Sequence, residues 1–290
     1  MTASPASIDR SAATSAAASA AASAATHAAY GAILSEAASS GRRRALLILV
    51  VIAACLAALA VTGFFDATRF AEGLPALGQL ASEMVPPNFA RWQHWIKPLA
   101  DTLAMSIAGT ALAVLLSLPL ALLAAPNTTP HPVIYQVART VFAAFRSVPE
   151  IILGIIFVAA VGFGALPGVL ALALHSTGMV GKFYAEAIEH VDPKPIEAAR
   201  AAGATHFQVI THAVLPQVLP QLADITIYRW EYHFRASAVL GIVGAGGIGF
   251  ELMAALRLIK YDEVAAILLT ILACVVVVDA TGAALRRRLK

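Results

Sequence analysis

Five charged residues interrupt otherwise apolar stretches of the sequence. Arg146 and Glu150 lie in one stretch, and Arg229, Glu231 and Arg235 lie in another. In each group a carboxylate and an arginine are four residues apart, a spacing that places both side chains on one face of a helix. Either the pairs neutralise each other and hold a helix interface, or the arginines line a path for an anion, because guanidinium groups bind oxyanions through paired hydrogen bonds. In the second case the carboxylates limit how tightly the anion is held.

The rest of the sequence gives no pattern for catalysis or for a cofactor. The eight histidines are dispersed, neither cysteine has a metal-ligand spacing, and no GxxxxGK[ST] phosphate loop occurs. Residues 244–249 spell GxGxxG, but they follow an apolar helix instead of a strand, so we interpret them as a bend and not as a dinucleotide site. We therefore expect that the chain is not an enzyme and binds no metal or cofactor.

The composition indicates a membrane protein. Of 290 residues, 59% are hydrophobic and 13% are charged, and the mean hydropathy is +0.78. Soluble domains carry about 25% charged residues. The net charge of +3 gives no sign of a nucleic-acid partner, because the positive charges are concentrated beside apolar stretches.

Six stretches are long enough to cross a bilayer, which takes about 20 apolar residues. They are Ala45–Phe65, Thr102–Ala125, Val133–Phe163, Leu166–Tyr184, Leu219–Val243 and Val264–Leu285. We interpret the third as one helix bent near Pro149. The predicted fold class is all-α, a polytopic helical membrane protein with six transmembrane helices.

Arginine clusters at residues 42–44 and 286–288 predict the orientation, since cytoplasmic flanks carry the excess of positive charge. Six spans then place both termini in the cytoplasm. Residues 66–98 form an outer loop in which Trp92 and Trp95 are expected to act as interfacial anchors. We divide the chain into a disordered Ala/Ser-rich tail (1–41), a first helix with its outer loop (42–98), and a five-helix core (99–290) that contains a cytoplasmic loop (192–216).

That cytoplasmic loop has the signals of two short helices. Asp192-Pro193 provides an N-cap and a proline at the first helical position, and Gly203 can end the helix in the left-handed conformation. Thr205 and Gln208 have the spacing of a capping box for a second helix, which Leu215-Pro216 is expected to close. The second helix lacks the basic face that a DNA-reading helix needs.

The loop resembles the EAA signature of ABC-importer permeases. The matching residues are Glu197, Ala198, Ala199, Gly203, Leu215 and Pro216, and Ala213 stands where the family has isoleucine. The segments RSVPE (146–150), DPKPIEAARAAGA (192–204) and YRWEYHFRASAVLGIVGAGGIG (228–249) resemble the phosphonate-importer branch. This resemblance covers roughly residues 100–285.

The resemblance implies a type I ABC-importer permease fold in the inner membrane. It also implies a homodimer, a cytosolic ATPase pair that uses ATP and Mg²⁺, and a periplasmic phosphonate-binding protein. The matching loop residues would dock into the ATPase as a coupling helix. The same architecture carrying phosphate, phosphite or methionine stays open, as does a channel or secondary transporter that needs no ATPase.

Overall fold

The structure is a computed structural model that describes residues 43–289. The predicted disordered tail (1–41) lies outside these residues. The helices are α1 (Arg43–Val61), α2 (Ala67–Glu83), α3 (Trp92–Ala124), α4 (Pro132–Ser147), α5 (Glu150–Val161), α6 (Ala165–Glu189), α7 (Pro193–Ala201), α8 (His206–Val209), α9 (Leu215–Leu240), α10 (Ile248–Arg257) and α11 (Tyr261–Leu289). Two π-helical turns, Ile210–Val214 and Gly241–Ala245, flank α9.

The helices support five of the six predicted spans. By length and apolar composition α1, α3 and α11 can each cross a membrane, and the bent pairs α4–α5 and α9–α10 bring the number to five. The remaining predicted span lies in α6, which is 25 residues long but is not apolar enough to meet the same criterion. Residues 43–289 contain no strand, so the all-α prediction is confirmed.

The described residues form two compact units that divide between Ala76 and Leu77. In the first unit α1 is followed by a turn in which Asp66 forms an ion pair with Arg69 at 3.2 Å. The second unit contains all three buried apolar clusters found among residues 43–289.

Helix α6 is central to the second unit and packs against α3, α4, α5 and α9. Small residues make this packing close: a Cβ at Gly181 would overlap the Phe142 ring, and a Cβ at Gly178 would lie 2.6 Å from the Phe142 carbonyl oxygen. Small residues at helix interfaces are typical of membrane proteins, where the backbones must approach for van der Waals contact. The buried centre of the unit therefore lies around α6.

Two breaks change the direction of the chain inside the membrane segments. Val148 is extended (φ −96°, ψ 119°), as proline requires of the residue before it, and the axes of α4 and α5 differ by 82°. The prediction of one bent helix is therefore corrected to two helices. At the other break Gly244 has φ 100° and the chain turns by 56° into α10, which confirms the interpretation of the glycine motif as a bend.

The segment predicted as an outer loop also differs from expectation. Residues 66–98, predicted as a loop, contain all of α2 and the first turns of α3. Trp95 is 1% exposed and packs edge-on against Phe89, so it is a core residue and not an interfacial anchor. Trp92, in contrast, is 53% exposed.

Candidate functional site

Helix α9 carries its charged residues on two opposite faces. Arg229 and His233 are one helical turn apart, and so are Glu231 and Arg235. The second pair is offset by two residues, which is about 200° around an α-helix. The sequence alone therefore places Arg229 on the opposite face of α9 from Glu231 and Arg235.

Arg229 points into the second unit. Its side chain is buried, with a relative exposure of 6%. Nε donates a hydrogen bond of 2.7 Å to Ser176 Oγ on α6, and Cζ lies 4.2 Å from the centre of the Tyr232 ring. Nη2 is buried and has no hydrogen-bond partner among the described residues.

A directed chain of hydrogen bonds holds Arg229. Thr110 Oγ1 donates to the Ser106 carbonyl (2.6 Å), so it accepts from His233 Nδ1–H at 2.7 Å. His233 Nε2 is then the accepting nitrogen of a neutral ring, and Ser176 donates its hydroxyl proton to it. Ser176 Oγ remains free to accept from Arg229. His233 is fully buried with both ring nitrogens hydrogen-bonded, and no sequence pattern had identified it as a site residue.

Glu150 begins α5 and approaches the same cluster. Tyr232 donates its hydroxyl to Glu150 Oε1 at 2.6 Å, and His175 Nε2 lies 3.8 Å from Oε2. The alternative in which Glu150 pairs with Arg146 is not observed, because Arg146 lies in the last turn of α4, before the break, and does not share a helix face with Glu150. Arg146 instead packs its Cγ against Gly178 of α6.

The alternative in which Glu231 pairs with Arg235 is not observed either. Both side chains face α11, where Glu231 lies 2.8 Å from Arg286 and Arg235 lies 2.9 Å from Asp279. Neither residue pairs within α9, because each has an oppositely charged partner on α11 in direct contact. The structure therefore brings Arg229 and Glu150 into one cluster and places Glu231 and Arg235 on another face.

The loop 192–216 has the predicted helix caps. Asp192 accepts the amide proton of Lys194 (3.0 Å), Gly203 has φ 80° after α7, and Thr205 and Gln208 form a complete capping box. The surface of this region is open. Among the residues of the signature, Glu197, Ala198, Gly203 and Pro216 are exposed, while Ala199 and Leu215 are partly buried.

One detail of the loop was predicted wrongly. Leu215-Pro216 does not close a second short helix, because α8 runs through the π turn Ile210–Val214 directly into α9. Ala213 and Val214 of this turn are buried in the apolar cluster below, which holds the turn in place. The helix that begins at His206 is therefore continuous with the one that carries Arg229.

A second segment at the same end of the helices, the connection between α3 and α4, supports the loop and was not among the predicted site residues. His206 Nε2 donates to the Thr128 carbonyl at 2.9 Å, and Asn127 Nδ2 donates to the Ile188 carbonyl at 2.6 Å. Arg139 Nε donates to the Ala124 carbonyl at 3.2 Å and its Nη2 pairs with Glu189. The α3–α4 connection is thus fastened to both α6 and α8.

No group of three or more metal-ligating side chains occurs within residues 43–289. Here the chemistry of the site is that of hydrogen-bond donors and paired charges inside a helical bundle. The exposed loop is joined by a continuous helix, which begins at His206, to the buried guanidinium of Arg229, whose Nη2 has no hydrogen-bond partner among residues 43–289.

Comparison with known proteins gives a family and close relatives. The family model described as "Binding-protein-dependent transport system inner membrane component" matches residues 117–290. A phosphite transport system permease protein of Stutzerimonas stutzeri is 67% identical over 228 residues, which cover 79% of this chain and 83% of that protein. A phosphate-import permease protein of Mycolicibacterium smegmatis is 43% identical over 223 residues, which cover 77% of this chain and 42% of that protein.

Solved structures show the same fold. An inward-facing methionine ABC transporter aligns with a TM-score of 0.60 and 24% identity over 68% of this chain and 96% of that chain. A bacterial ABC transporter for import of the polysaccharide alginate aligns with a TM-score of 0.55 and 16% identity over 79% of this chain and 98% of that chain. At these identities the likeness concerns the fold alone.

Proposed function

The chain belongs to the family of binding-protein-dependent transport system inner membrane components, and from that membership we propose that it is the membrane subunit of an ATP-driven importer of phosphorus oxyanions. One observation carries the choice of substrate: the 67% identity to a phosphite permease over 79% of the chain. Its fold is the type I ABC-importer permease fold.

Phosphite is the first substrate we propose, and an alkylphosphonate is the second. The sequence resemblance by itself pointed to the phosphonate branch, whereas the relatives include permeases named for phosphite and for phosphate. All three anions present phosphorus-bound oxygens that accept hydrogen bonds from arginine. The named relatives favour phosphite because the identity to the phosphite permease is the higher of the two reported.

We assign energy coupling to the exposed loop formed by Glu197, Ala198, Ala199, Gly203, Leu215 and Pro216. Small side chains and exposed backbone on α7 let a partner surface approach closely. The proposed partner is a cytosolic ATPase dimer, which binds and hydrolyses ATP with Mg²⁺, so this chain itself performs no catalysis. A periplasmic binding protein delivers the anion, and a second copy of the chain completes the membrane pathway.

We propose an inner-membrane orientation with both termini in the cytoplasm. The support is the arginine cluster Arg286–Arg288 in the last turn of α11 together with the arginines at residues 42–44. In this orientation the loop of α7 and α8 lies in the cytoplasm and the bend at Gly244 lies outside.

The translocation path is proposed to pass the cluster of Arg229 and Glu150, with Arg146 near the end of α4. Glu231 and Arg235 were candidates for the same path. Their partners on α11 support a different role for them, that of holding α9 against α11.

The test is uptake in cells that lack the chain, with and without its restoration beside its ATPase and binding protein. Radiolabelled phosphite, methylphosphonate, phosphate and methionine are offered separately. We expect ATP-dependent uptake of phosphite, with methylphosphonate as a weaker substrate. Uptake of methionine alone would overturn the substrate, and uptake that persists without ATP would favour a channel or a secondary transporter.

A further inference from the structure

Arg229 has no charged partner in direct contact. It is the one buried arginine among residues 43–289, and no carboxylate in that part of the chain lies within 4.0 Å of its nitrogens. The arginines at 69, 91, 139, 235 and 286 each form an ion pair instead. An unpaired buried charge is strongly unfavourable unless something else compensates for it.

The compensation inside the protein is indirect. Glu150 accepts the hydroxyl of Tyr232, and the ring of Tyr232 lies against the Arg229 guanidinium. His175 also faces Glu150, at 3.8 Å. The negative charge of Glu150 therefore compensates for Arg229 from the far side of the Tyr232 ring. This arrangement leaves Arg229 Nη2 without a hydrogen-bond acceptor.

The hydrogen bonds around Arg229 fix its direction. Ser176 Oγ accepts from Arg229 Nε and donates its own proton to His233. The chain continues through Thr110 to a backbone carbonyl, which can only accept, so the direction of the Ser176 hydrogen bond is fixed. The guanidinium is therefore held by one edge, and its remaining donors are kept for another group. Such a preorganised donor loses little entropy when it binds an oxyanion.

We infer that Arg229 binds the transported anion inside the membrane, with Nη2 donating to an oxygen of its PO₃ group. The inference rests on the proposed function and names the residue that performs it. Nη2 contacts the PO₃ group, which phosphite and an alkylphosphonate share. It therefore does not distinguish the hydrogen on the phosphorus of phosphite from the alkyl group of a phosphonate. Because Nη2 is buried in this structure, the anion reaches it only when the helices rearrange during transport.

Glu150 and Ser176 then have separate tasks. The carboxylate of Glu150 keeps the empty cluster electrically balanced, and its repulsion of an arriving anion keeps binding weak enough for release. Ser176 is a positioning residue that acts through Arg229.

The test uses the complete transporter, with ATPase and binding protein, in proteoliposomes. Uptake of phosphite and of methylphosphonate is measured beside the ATPase activity that the loaded binding protein stimulates. For Arg229→Gln we expect uptake of both anions to fall at least about tenfold, equal to about 1.4 kcal/mol, with the stimulated ATPase retained. Arg229→Lys keeps the charge without the guanidinium fork, so its uptake should be intermediate. Arg69→Gln is the matched control, since this arginine pairs with Asp66 on the surface.

Ser176→Ala supplies a kinetic readout. A guanidinium held less firmly should raise the KM for uptake while kcat is largely kept, which a general loss of folding would not do. Three results would overturn the inference: wild-type uptake by Arg229→Gln, loss of only one of the two anions, or failure of both Arg229 variants to assemble, which would show a structural role. If the wild-type transporter takes up none of the phosphorus anions, the proposed function itself fails and the inference falls with it.

Discussion

At the scale of the residue, His233 shows how one buried side chain fixes its neighbours. Both ring nitrogens are bonded to hydroxyl groups, and the carbonyl of Ser106 at the end of the chain decides the direction of every proton. A buried polar group that loses its partner costs more than the bond itself contributes, because it stays out of water. The cluster is therefore sensitive to the loss of any one hydroxyl.

Thr110→Val removes the hydroxyl that accepts from His233 Nδ1 and leaves that donor buried. We expect the free energy of unfolding to fall by about 1–3 kcal/mol, measured as a lower melting temperature of the purified permease in detergent. Thr110→Ser keeps the hydroxyl and is the control. Equal melting temperatures for the two variants would contradict the directed chain.

Gly282 provides a steric test of the contact between α9 and α11. A Cβ at this position would overlap the Glu231 carboxylate, which is held by Arg286. We expect Gly282→Ala to lower stability by about 1–3 kcal/mol through overpacking. Gly73→Ala, where a Cβ meets nothing within 4 Å, should not lower it. Combining Glu231→Ala with Arg286→Ala should remove most of the penalty at Gly282; a full penalty in that background would show that Glu231 is not the obstacle.

At the scale of the element, local sequence rules predicted the ends of helices well. Asp192 and the capping box of Thr205 and Gln208 act through neighbours within three residues, so the sequence contains all the information they need. The π turn Ile210–Val214 was missed because it depends on packing against distant helices. Charge partners were missed for the same reason: Arg235 and Asp279 are 44 residues apart, and only the fold brings them together.

A substitution at Gly203 tests whether the exposed loop couples the permease to the ATPase. Its φ of 80° costs any other residue about 1–2 kcal/mol, although the space around it is open. Gly162 also has a positive φ of 88° and open space, and its ψ of 178° lies in a region that is nearly restricted to glycine, so Gly162→Val is a control with at least as much backbone strain. We expect Gly203→Val to abolish uptake and the stimulated ATPase while the protein stays in the membrane, and Gly162→Val to keep both. Equal uptake by the two variants would remove the coupling role of Gly203.

At the scale of the whole molecule, composition and the spacing of apolar stretches sufficed for the fold class and for five spans that meet the apolar criterion. The break at Pro149 was placed correctly, but its size of 82° was not foreseen, because a proline specifies where a helix stops and not where the next one points. Orientation, dimerisation and the ATPase partner stay predictions.

The sequence predicts that the N-terminal tail is dispensable for transport. Residues 1–41 are mostly Ala, Ser and Thr and offer no apolar face that a partner would bury. We expect deletion of residues 2–38 to leave phosphite uptake within about twofold of wild type. This change is much smaller than the loss of at least about tenfold, or about 1.4 kcal/mol, expected for Arg229→Gln. The amount of permease in the membrane is measured in parallel. Loss of uptake at a normal amount of protein would show an active role for the tail.

The continuity of α8, the π turn and α9 has a consequence for how the chain tolerates change. His206 and Arg229 are 23 residues apart on one helical path, about 35 Å, and each residue turns that path by about 100°. The π turn therefore sets the rotation angle between the exposed surface of the loop and the buried guanidinium. Substitutions between them preserve this angle, whereas a single insertion or deletion would turn Arg229 away from α6 while every cap and contact at the loop remained intact.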